Sequence, residues 1–257
     1  MNLGEALLES ATEIAERAGN LALSYFRQKI LIEMKENMTP VTVADKKTEE
    51  LIRYEIGQRY PDHGILGEEF ENSGLDREFV WTIDPIDGTR SFIRGIPLWG
   101  TLLGLLHKGN PVLGVMVLPA LDEVYSAGHG MGAFCNGVQI HASPVRTVES
   151  AIVSSGDVSC FESAGKSKLL TILQERAELC RGYTDCFGHA MVARGAIDAM
   201  IDPLISVWDV APLAVIVKES GGAYFTIEGD ETIRGTSFVT CSAGLKAELL
   251  GLMNDPK

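Results

Sequence analysis

The sequence predicts an α/β protein in which helices are layered on sheets, and two observations support this prediction. Short apolar β-like runs separated by turns occupy residues 63 to about 142, and β-like and helical segments alternate after about residue 150. Such alternation implies that helices pack on a sheet. We therefore expect the 257 residues to form one domain with two lobes. The first lobe, about 1–145, is expected to be α+β with an antiparallel sheet, and the second, about 146–257, to be α/β.

Two helices are predicted in the first lobe. Apolar residues at helical spacing place the first helix over about residues 2–27. Thr42 followed three residues later by Asp45 has the pattern of a capping box, so the second helix begins there and ends near Tyr60. The strands that follow, from GILG at 64–67 to VQI at 138–140, are expected to form an antiparallel meander.

The second lobe is expected to alternate four helices with four strands. The helices are predicted near residues 164–179, 187–195, 209–219 and 243–253. The strands are predicted at AIVSS (151–155), AIDAMI (196–201), GAYFT (222–226) and SFVTCS (237–242).

The composition excludes several classes of partner. The chain has 22 Lys and Arg against 35 Asp and Glu, a net charge of −13 without a basic cluster, which disfavours nucleic acid and anionic membrane surfaces. No uncharged apolar run reaches the ~18 residues that a membrane span needs. Glu5 and Glu9 stand where a signal peptide needs basic residues, so we expect a soluble, cytoplasmic protein. The five cysteines are odd in number and contain no C-x-x-C pair, which predicts reduced thiols.

Acidic residues recur where apolar elements end. Glu68 and Glu69 follow GILG, Asp84 and Asp87 follow the strand FVWTI, and Asp209 follows SVW at a predicted helix start. Carboxylates at such positions are costly to desolvate unless a positive partner meets them. Oxygen ligands without histidine or thiolate suit Mg²⁺. The pattern therefore predicts a magnesium site.

The residues around this acidic cluster add a phosphate-binding feature. Pro85 is expected to end the strand ladder and turn the chain, so that the two neighbouring aspartates converge. Gly88 and Thr89 then offer backbone N–H groups at a short helical turn, which favours phosphate. A simpler interpretation stays open, in which these residues form a polar turn and Asp209 and Asp45 only cap helices.

At this point the motifs resemble a known family. GEE (67–69), DPIDGT (84–89), WDVAP (208–212) and ESGG (219–222) resemble the inositol monophosphatase superfamily of Mg²⁺-dependent, lithium-sensitive phosphatases. Within it, PVTVADKKTEE, YPDHGILGEEF and the run TDCFGHAMVARGAIDAMID are most similar to the histidinol-phosphatase branch. The resemblance covers nearly the whole chain and implies a layered αβαβα sandwich of the inositol monophosphatase and fructose-1,6-bisphosphatase type, present as a homodimer.

The resemblance also implies a catalytic site with two or three Mg²⁺ ions per subunit. Its ligands carry over onto Glu68, Asp84, the carbonyl of Ile86, Asp87 and Asp209, with Asp84 bridging two metals. A water activated by the metals is implied as nucleophile, oriented by Thr89 and Asp45. In this reading Asp45 is catalytic as well as a cap.

The implied substrate is a small phosphorylated metabolite. Asp87, Gly88 and Thr89 would contact its phosphate. Asp202 stands where inositol phosphatases place a hydroxyl-binding Glu, and Asp185 stands where inositol-specific relatives have a small apolar residue. A cationic substrate would explain the added carboxylate.

The first functional hypothesis is therefore hydrolysis of histidinol phosphate to histidinol and phosphate in histidine biosynthesis. The alternatives are an inositol-1-monophosphatase or a broad sugar-phosphate phosphatase, and a non-catalytic, metal-stabilised interaction protein.

Overall fold

The computed structural model describes residues 4–35 and 39–254. The elements of the first part of the chain are α1 (Glu5–Tyr25), β1 (Ile32–Met34), β2 (Pro40–Thr42), α2 (Val43–Arg59), β3 (Gly64–Gly67), β4 (Phe79–Asp87), α3 (Thr89–Ile93), β5 (Gly100–His107), β6 (Asn110–Leu118), β7 (Glu123–Gly128), β8 (Gly132–Cys135) and β9 (Val138–Gln139). Those of the second part are β10 (Ile152–Ser155), α4 (Val158–Ser163), α5 (Ser167–Arg176), β11 (Leu179–Arg181), α6 (Asp185–Ala193), β12 (Ala199–Asp202), α7 (Val207–Glu219), β13 (Gly222–Phe225), β14 (Phe238–Ser242) and α8 (Lys246–Asn254). Over these two described ranges, no helix is both long and apolar enough to cross a membrane.

The two N-terminal helices largely follow the prediction. Helix α1 is preceded by Gly4 as its N-cap residue, and the predicted start at Asn2 lies outside the described residues. Helix α2 begins with the predicted capping box, in which the Thr42 hydroxyl accepts from the Ala44 N–H and Asp45 Oδ2 accepts from the Thr42 N–H at 2.8 Å. The short antiparallel pair β1–β2 between the helices was not predicted.

The first sheet has seven strands in the order β3-β4-β5-β6-β7-β8-β9. From β4 to β9 it is the predicted antiparallel meander, but β3 runs parallel to β4, so the prediction was wrong at this edge. A parallel pair places the carboxyl ends of both strands at the same edge of the sheet. The acids that follow β3 therefore lie beside those at the end of β4.

The second sheet has five strands in the order β11-β10-β12-β14-β13 and is mixed. Strand β10 runs parallel to β11 and β12, whereas β12, β14 and β13 are antiparallel neighbours. The helix predicted over 164–179 is instead two helices, α4 and α5, followed by the edge strand β11. Gly165, with a φ of 68°, separates the two helices.

Five layers result from the way apolar faces are buried. Helices α1 and α2 pack on one face of the seven-stranded sheet through a core that includes Ile14, Ile52 and Trp81. Helices α6 and α7 lie between the sheets, and their core contains residues of both, such as Leu102 and Phe238. Helices α4, α5 and α8 cover the outer face of the five-stranded sheet. The order is αβαβα, as the resemblance implied.

Candidate active site

Three aspartates converge where β4 ends and α7 begins. Carboxylate oxygens of Asp84, Asp87 and Asp209 all lie within 4.8 Å of one another. Each carboxylate also has one oxygen held by a backbone N–H. Ile86 N donates to Asp84 at 3.0 Å, Cys186 N donates to Asp87, and Ser206 N donates to Asp209 at 2.9 Å. The second oxygen of each carboxylate is not engaged by these backbone N–H groups.

A β-bulge brings Asp84 and Asp87 to the same side of the sheet. The prediction that Pro85 ends the ladder was wrong, because β4 continues to Asp87 with a register shift. Asp84 pairs with Leu102 and Asp87 with Gly100, so three steps along β4 match two along β5. Residues three apart face opposite sides of a regular strand, and one extra residue restores a common side. The proline lacks an N–H and occupies this bulge, where no ladder donor is needed.

Asp209 is placed by the capping of α7. Its carboxylate accepts from the Ser206 backbone N–H, which completes a capping box at the start of the helix. The simple interpretation of Asp209 as a helix cap is therefore correct, and the same residue also belongs to the acidic cluster. One oxygen serves the cap at 2.9 Å, and the carboxyl of Asp84 lies within hydrogen-bonding reach of Asp209.

Glu68 lies beside this cluster and is paired with a lysine. Lys35 Nζ is 2.8 Å from Glu68 Oε1 and 2.7 Å from Glu69 Oε1. The charge of Glu68 still acts on Asp84, whose pKa it helps to raise. Burial raises the pKa of Glu69 to about 7, although Lys35 opposes the shift.

A buried ion pair holds this acidic segment in place. Glu49, which is completely buried, accepts from the Glu69 N–H at 2.8 Å and from Arg53 Nε at 2.7 Å. The Arg53 guanidinium also donates to the carbonyl oxygens of Phe70 and Glu71. The turn that carries Glu68 is therefore fixed on α2.

Thr89 and Asp45 meet at the other side of the aspartate cluster. Thr89 Oγ1 lies 3.0 Å from the carbonyl oxygen of Ile86 and 3.4 Å from Asp45 Oδ1. Asp45 is fully buried, and this burial raises its pKa. Its other oxygen, Oδ2, accepts from the N–H and the hydroxyl of Thr42.

Gly88 forms the turn between β4 and α3 and approaches Asp185. Its φ of 84° lies in the left-handed region that glycine tolerates. A Cβ at this position would lie 3.0 Å from the Leu98 carbonyl oxygen and 3.2 Å from Asp185 Oδ2. The predicted short helical turn is present as α3, and its N-cap is Gly88. The Asp185 carboxylate therefore borders the turn whose N–H groups are predicted to bind phosphate.

A cavity of about 150 Å³ connects the aspartate cluster to two further acids. Asp87 and Asp209 line it together with Asp185 and Asp202. Asp202 is 9% exposed, and its Oδ2 lies 3.0 Å from His189 Nε2. The structure thus brings two of the predicted metal ligands and both predicted specificity residues into one cavity.

Burial and repulsion between like charges dominate the electrostatics of this cavity. Burial and then the neighbouring carboxylates raise the pKa values of Asp84 and Asp87, and burial raises that of Asp209. Burial, Asp87 and Asp202 raise the pKa of Asp185 to about 8. A positive charge would lower all four pKa values. Oxygen atoms alone make up the donor set, the spacing lets one cation reach three carboxylates, and each has an oxygen available, so the residues fit Mg²⁺.

With this geometry in place, comparison with known proteins identifies the family. The model of the inositol monophosphatase family matches residues 4–255. The chain belongs to the inositol monophosphatase family. Members of this family are Mg²⁺-dependent, in agreement with the donor set described above.

Relatives within the inositol monophosphatase family include histidinol-phosphatases. The histidinol-phosphatase of Chlorobaculum parvum is 38% identical over 250 residues, which cover 96% of either chain. That of Mycobacterium tuberculosis is 36% identical and covers 95% of this chain and 96% of its own. The solved inositol monophosphatase of Anabaena has a TM-score of 0.88 at 27% identity, covering 99% of this chain and 97% of that one. These findings confirm the predicted fold and the prediction that the protein is a phosphatase.

Several site residues of this inositol monophosphatase family member were not identified from the sequence. Lys35 carried no local signal, because Glu68 lies 33 residues away along the chain. Glu49 has a local partner in Arg53, four residues on, but its contact with Glu69 spans 20 residues and was not indicated by the sequence. His189 follows Asp185 by four residues, one helical turn, and this spacing could have linked the two. Its partner Thr240 lies on β14, and no pattern indicated that pairing.

Proposed function

We propose that this phosphatase hydrolyses histidinol phosphate to histidinol and inorganic phosphate, a step of histidine biosynthesis. The observation that carries the proposal is the cavity that joins the aspartate cluster to Asp185 and Asp202. Hydrolysis of a phosphate ester does not itself require these two carboxylates. They can form charge-assisted hydrogen bonds with a cationic group, and histidinol phosphate carries an ammonium group and a titratable imidazole.

Two or three Mg²⁺ ions are part of this proposal. Glu68, Asp84, the carbonyl of Ile86, Asp87 and Asp209 would hold them. When bound, the ions neutralise the acidic cluster, lower the pKa of water and stabilise the charge of the leaving group. Lys35 Nζ lies 2.8 Å from Glu68 Oε1 and would neutralise part of the charge of this carboxylate.

The chain's own residues orient the attacking water. The Thr89 hydroxyl lies between the Ile86 carbonyl and the buried Asp45 carboxylate. It can donate toward Asp45 while its oxygen accepts a hydrogen bond from a water, and Asp45 can take up the proton that the water releases. The backbone N–H groups of Gly88 and Thr89 would hold the phosphoryl oxygens while charge redistributes.

Substrate selection is assigned to Asp185 and Asp202. Asp185 borders the phosphate-binding turn at Gly88, so a carboxylate stands near the position of the ester. A substrate with a positive charge close to its phosphate would meet both carboxylates in the cavity. An inositol phosphate offers only hydroxyl groups there, and these would leave the charges unpaired.

An inositol-1-monophosphatase or broader sugar-phosphate activity is the second candidate. The solved Anabaena inositol monophosphatase, whose fold covers nearly the whole chain, supports this alternative. Initial rates with Mg²⁺ on histidinol phosphate, inositol 1-phosphate, fructose 1,6-bisphosphate and glycerol 2-phosphate test the two candidates. The proposal requires the highest kcat/KM on histidinol phosphate, and a higher value on inositol 1-phosphate would refute it.

Three further properties belong to this proposal. We infer a homodimer, inhibition by lithium and a cytoplasmic location. Analytical ultracentrifugation, lithium titration of the histidinol phosphate reaction and fractionation of cells test them in turn.

A further inference from the structure

One buried histidine lies within the substrate cavity without contacting the aspartate cluster in the described part of the chain. His189, on α6, is 1% exposed. Its Nδ1 lies 2.8 Å from the hydroxyl of Thr240, and its Nε2 lies 3.0 Å from Asp202 Oδ2. The ring of Phe238 packs against the imidazole with centroids 5.2 Å apart.

The partners determine which nitrogen carries the hydrogen. An ionised carboxylate can only accept, so Nε2 must donate to Asp202. The remaining nitrogen, Nδ1, then accepts the hydroxyl hydrogen of Thr240. A neutral imidazole satisfies both contacts, and the result is a directed chain from Thr240 through His189 to Asp202.

A second contact fixes the other oxygen of the same carboxylate. A Cβ at Gly156 would lie 2.1 Å from Asp202 Oδ1, so this oxygen rests against glycine backbone. Gly156 is held in turn, because its N–H donates to the carbonyl oxygen of Ile201 at 2.9 Å. Asp202 is therefore restrained at both oxygens, and it lines the cavity beside Asp185.

We propose that His189, supported by Thr240, is a positioning residue that holds Asp202 ready to receive the positively charged part of the substrate. This inference rests on the proposed function. A carboxylate that is already fixed loses little side-chain freedom when the substrate binds, so its orientation contributes directly to affinity. An apolar residue in place of His189 would leave the buried oxygens of Asp202 and Thr240 without their partner.

Two substitutions at His189 separate positioning from packing. His189→Gln keeps an N–H donor at a similar reach, and His189→Leu removes it while keeping an apolar side chain. We expect His189→Leu to lower kcat/KM on histidinol phosphate at least about tenfold, mainly through KM, because a hydrogen bond to a charged group is lost. The value on inositol 1-phosphate should fall by a smaller factor, because its neutral hydroxyls bind a carboxylate less strongly than a cation does, and His189→Gln should recover most of the loss.

A matched control is available on the opposite face of the first sheet. His63 Nδ1 accepts from Trp81 Nε1 at 3.1 Å, so His63→Leu also removes a hydrogen-bonded imidazole. It should reduce activity equally on both substrates or not at all. A substrate-selective loss in His63→Leu, or an equal loss on both substrates in His189→Leu, would overturn the proposal.

The coupling between His189 and Asp202 is tested by a double-mutant cycle. In the background of Asp202→Asn, the further change His189→Leu should alter kcat/KM less than about twofold, since the group that it positions is already altered. An undiminished effect in that background would show that His189 acts independently, contrary to the proposal.

A spectroscopic measurement distinguishes failure of this inference from failure of the proposed function. The ¹⁵N chemical shifts of the imidazole, assigned by comparison with His189→Gln, should show the Nε2–H tautomer. An Nδ1–H tautomer would overturn the inference whatever the substrate. If the tautomer is as expected but the wild type prefers inositol 1-phosphate, the proposed function fails and the charge-receiving role of Asp202 fails with it.

Discussion

The hydroxyl of Thr89 lies 3.4 Å from Asp45 Oδ1, although 44 positions separate the two residues in the sequence. The other oxygen of Asp45 serves the capping box with Thr42. The Asp45 carboxylate thus caps α2 through Oδ2 and contacts Thr89, in the turn after β4, through Oδ1. The structural role and the proposed catalytic role belong to different oxygens of the same group.

Substitution of Asp45 separates these two roles. Asp45→Asn can keep an oxygen for the Thr42 N–H but loses the charge that acts through Thr89. We expect the free energy of unfolding to fall by no more than about 1 kcal/mol. Turnover should fall at least about tenfold, since general-base catalysis contributes about 10²- to 10⁴-fold. Denaturant unfolding and initial rates measure the two quantities.

The control is Thr42→Ala, which weakens the cap and leaves the Asp45–Thr89 contact in place. It should lose a similar free energy of unfolding and keep turnover within about threefold. Comparable losses of turnover in both variants would indicate that Asp45 acts only as a cap.

Removal of one charge from the aspartate cluster is expected to abolish most activity. Asp84→Asn and Asp209→Asn each take a charged oxygen donor from the proposed Mg²⁺ site. Turnover should fall at least about a hundredfold, because the metal contributes several kcal/mol of charge stabilisation. Circular dichroism should show an intact fold. Full activity of the wild type in excess chelator would contradict the metal mechanism.

The sequence predicted the helices and strands more accurately than the strand register on which the site depends. Helical spacing located α1, and the Thr42–Asp45 pattern located the start of α2, because both signals are local. The β-bulge at Pro85 was not predicted, since its register depends on how β4 pairs with β5, about 15 residues further along the chain. The parallel pairing of β3 has the same cause. Neighbouring strands in a sheet are set by long-range packing that no short window of sequence contains.

The residues of the site likewise divide into those that were recognised from the sequence and those that were not. The acids were recognised one by one because each follows an apolar element, and the structure brings three of them together. Their partners were not recognised, because a buried glutamate such as Glu49 or a buried histidine such as His189 lies within a helix whose pattern it does not disturb. The roles of such residues can be recognised only once the structure shows which distant residues they contact.

The stability of the metal-free protein should decrease as the pH rises from about 5 to about 8. The folded-state pKa values of Asp84, Asp87 and Asp209 are raised, and that of Asp185 is about 8, whereas the ordinary value is 3.8. Between these limits these four carboxyl groups hold more protons in the folded state than in the unfolded state, so the free energy of unfolding falls with pH. Burial lowers the pKa of His63 below 6.5, and this single group opposes the trend without outweighing the four acids. Carboxylates with lowered pKa values, such as Glu149, lose their contribution to stability only below about pH 4.5. They therefore do not mask the trend between pH 5 and pH 8.

Thermal unfolding in chelator at several pH values measures this effect. We expect a melting temperature at least about 2 °C lower at pH 8 than at pH 5. Mg²⁺ should raise the melting temperature more at pH 8 than at pH 5, because it binds the ionised acids. The melting temperature in chelator should fall less steeply with pH in Asp185→Asn than in the wild type. A melting temperature that rises steadily from pH 5 to pH 8 in chelator would contradict this account.

The last prediction concerns the choice between cationic and neutral substrates. Asp185 has a φ of 56° at the first position of α6, a conformation that asparagine tolerates and alanine does not. Asp185→Asn therefore removes the charge without adding backbone strain. We expect the free energy of transition-state stabilisation, calculated from the ratio of kcat/KM values on histidinol phosphate, to fall by about 2 to 4 kcal/mol, the cost of removing one partner of a buried charge pair. Hydrolysis of inositol 1-phosphate should change little.

Asp157→Asn, at an exposed acid that lines the same cavity, is the control. It should leave kcat/KM on both substrates within about threefold of the wild type. Equal losses on both substrates in Asp185→Asn would assign Asp185 a structural role and remove the main support for recognition of a cation.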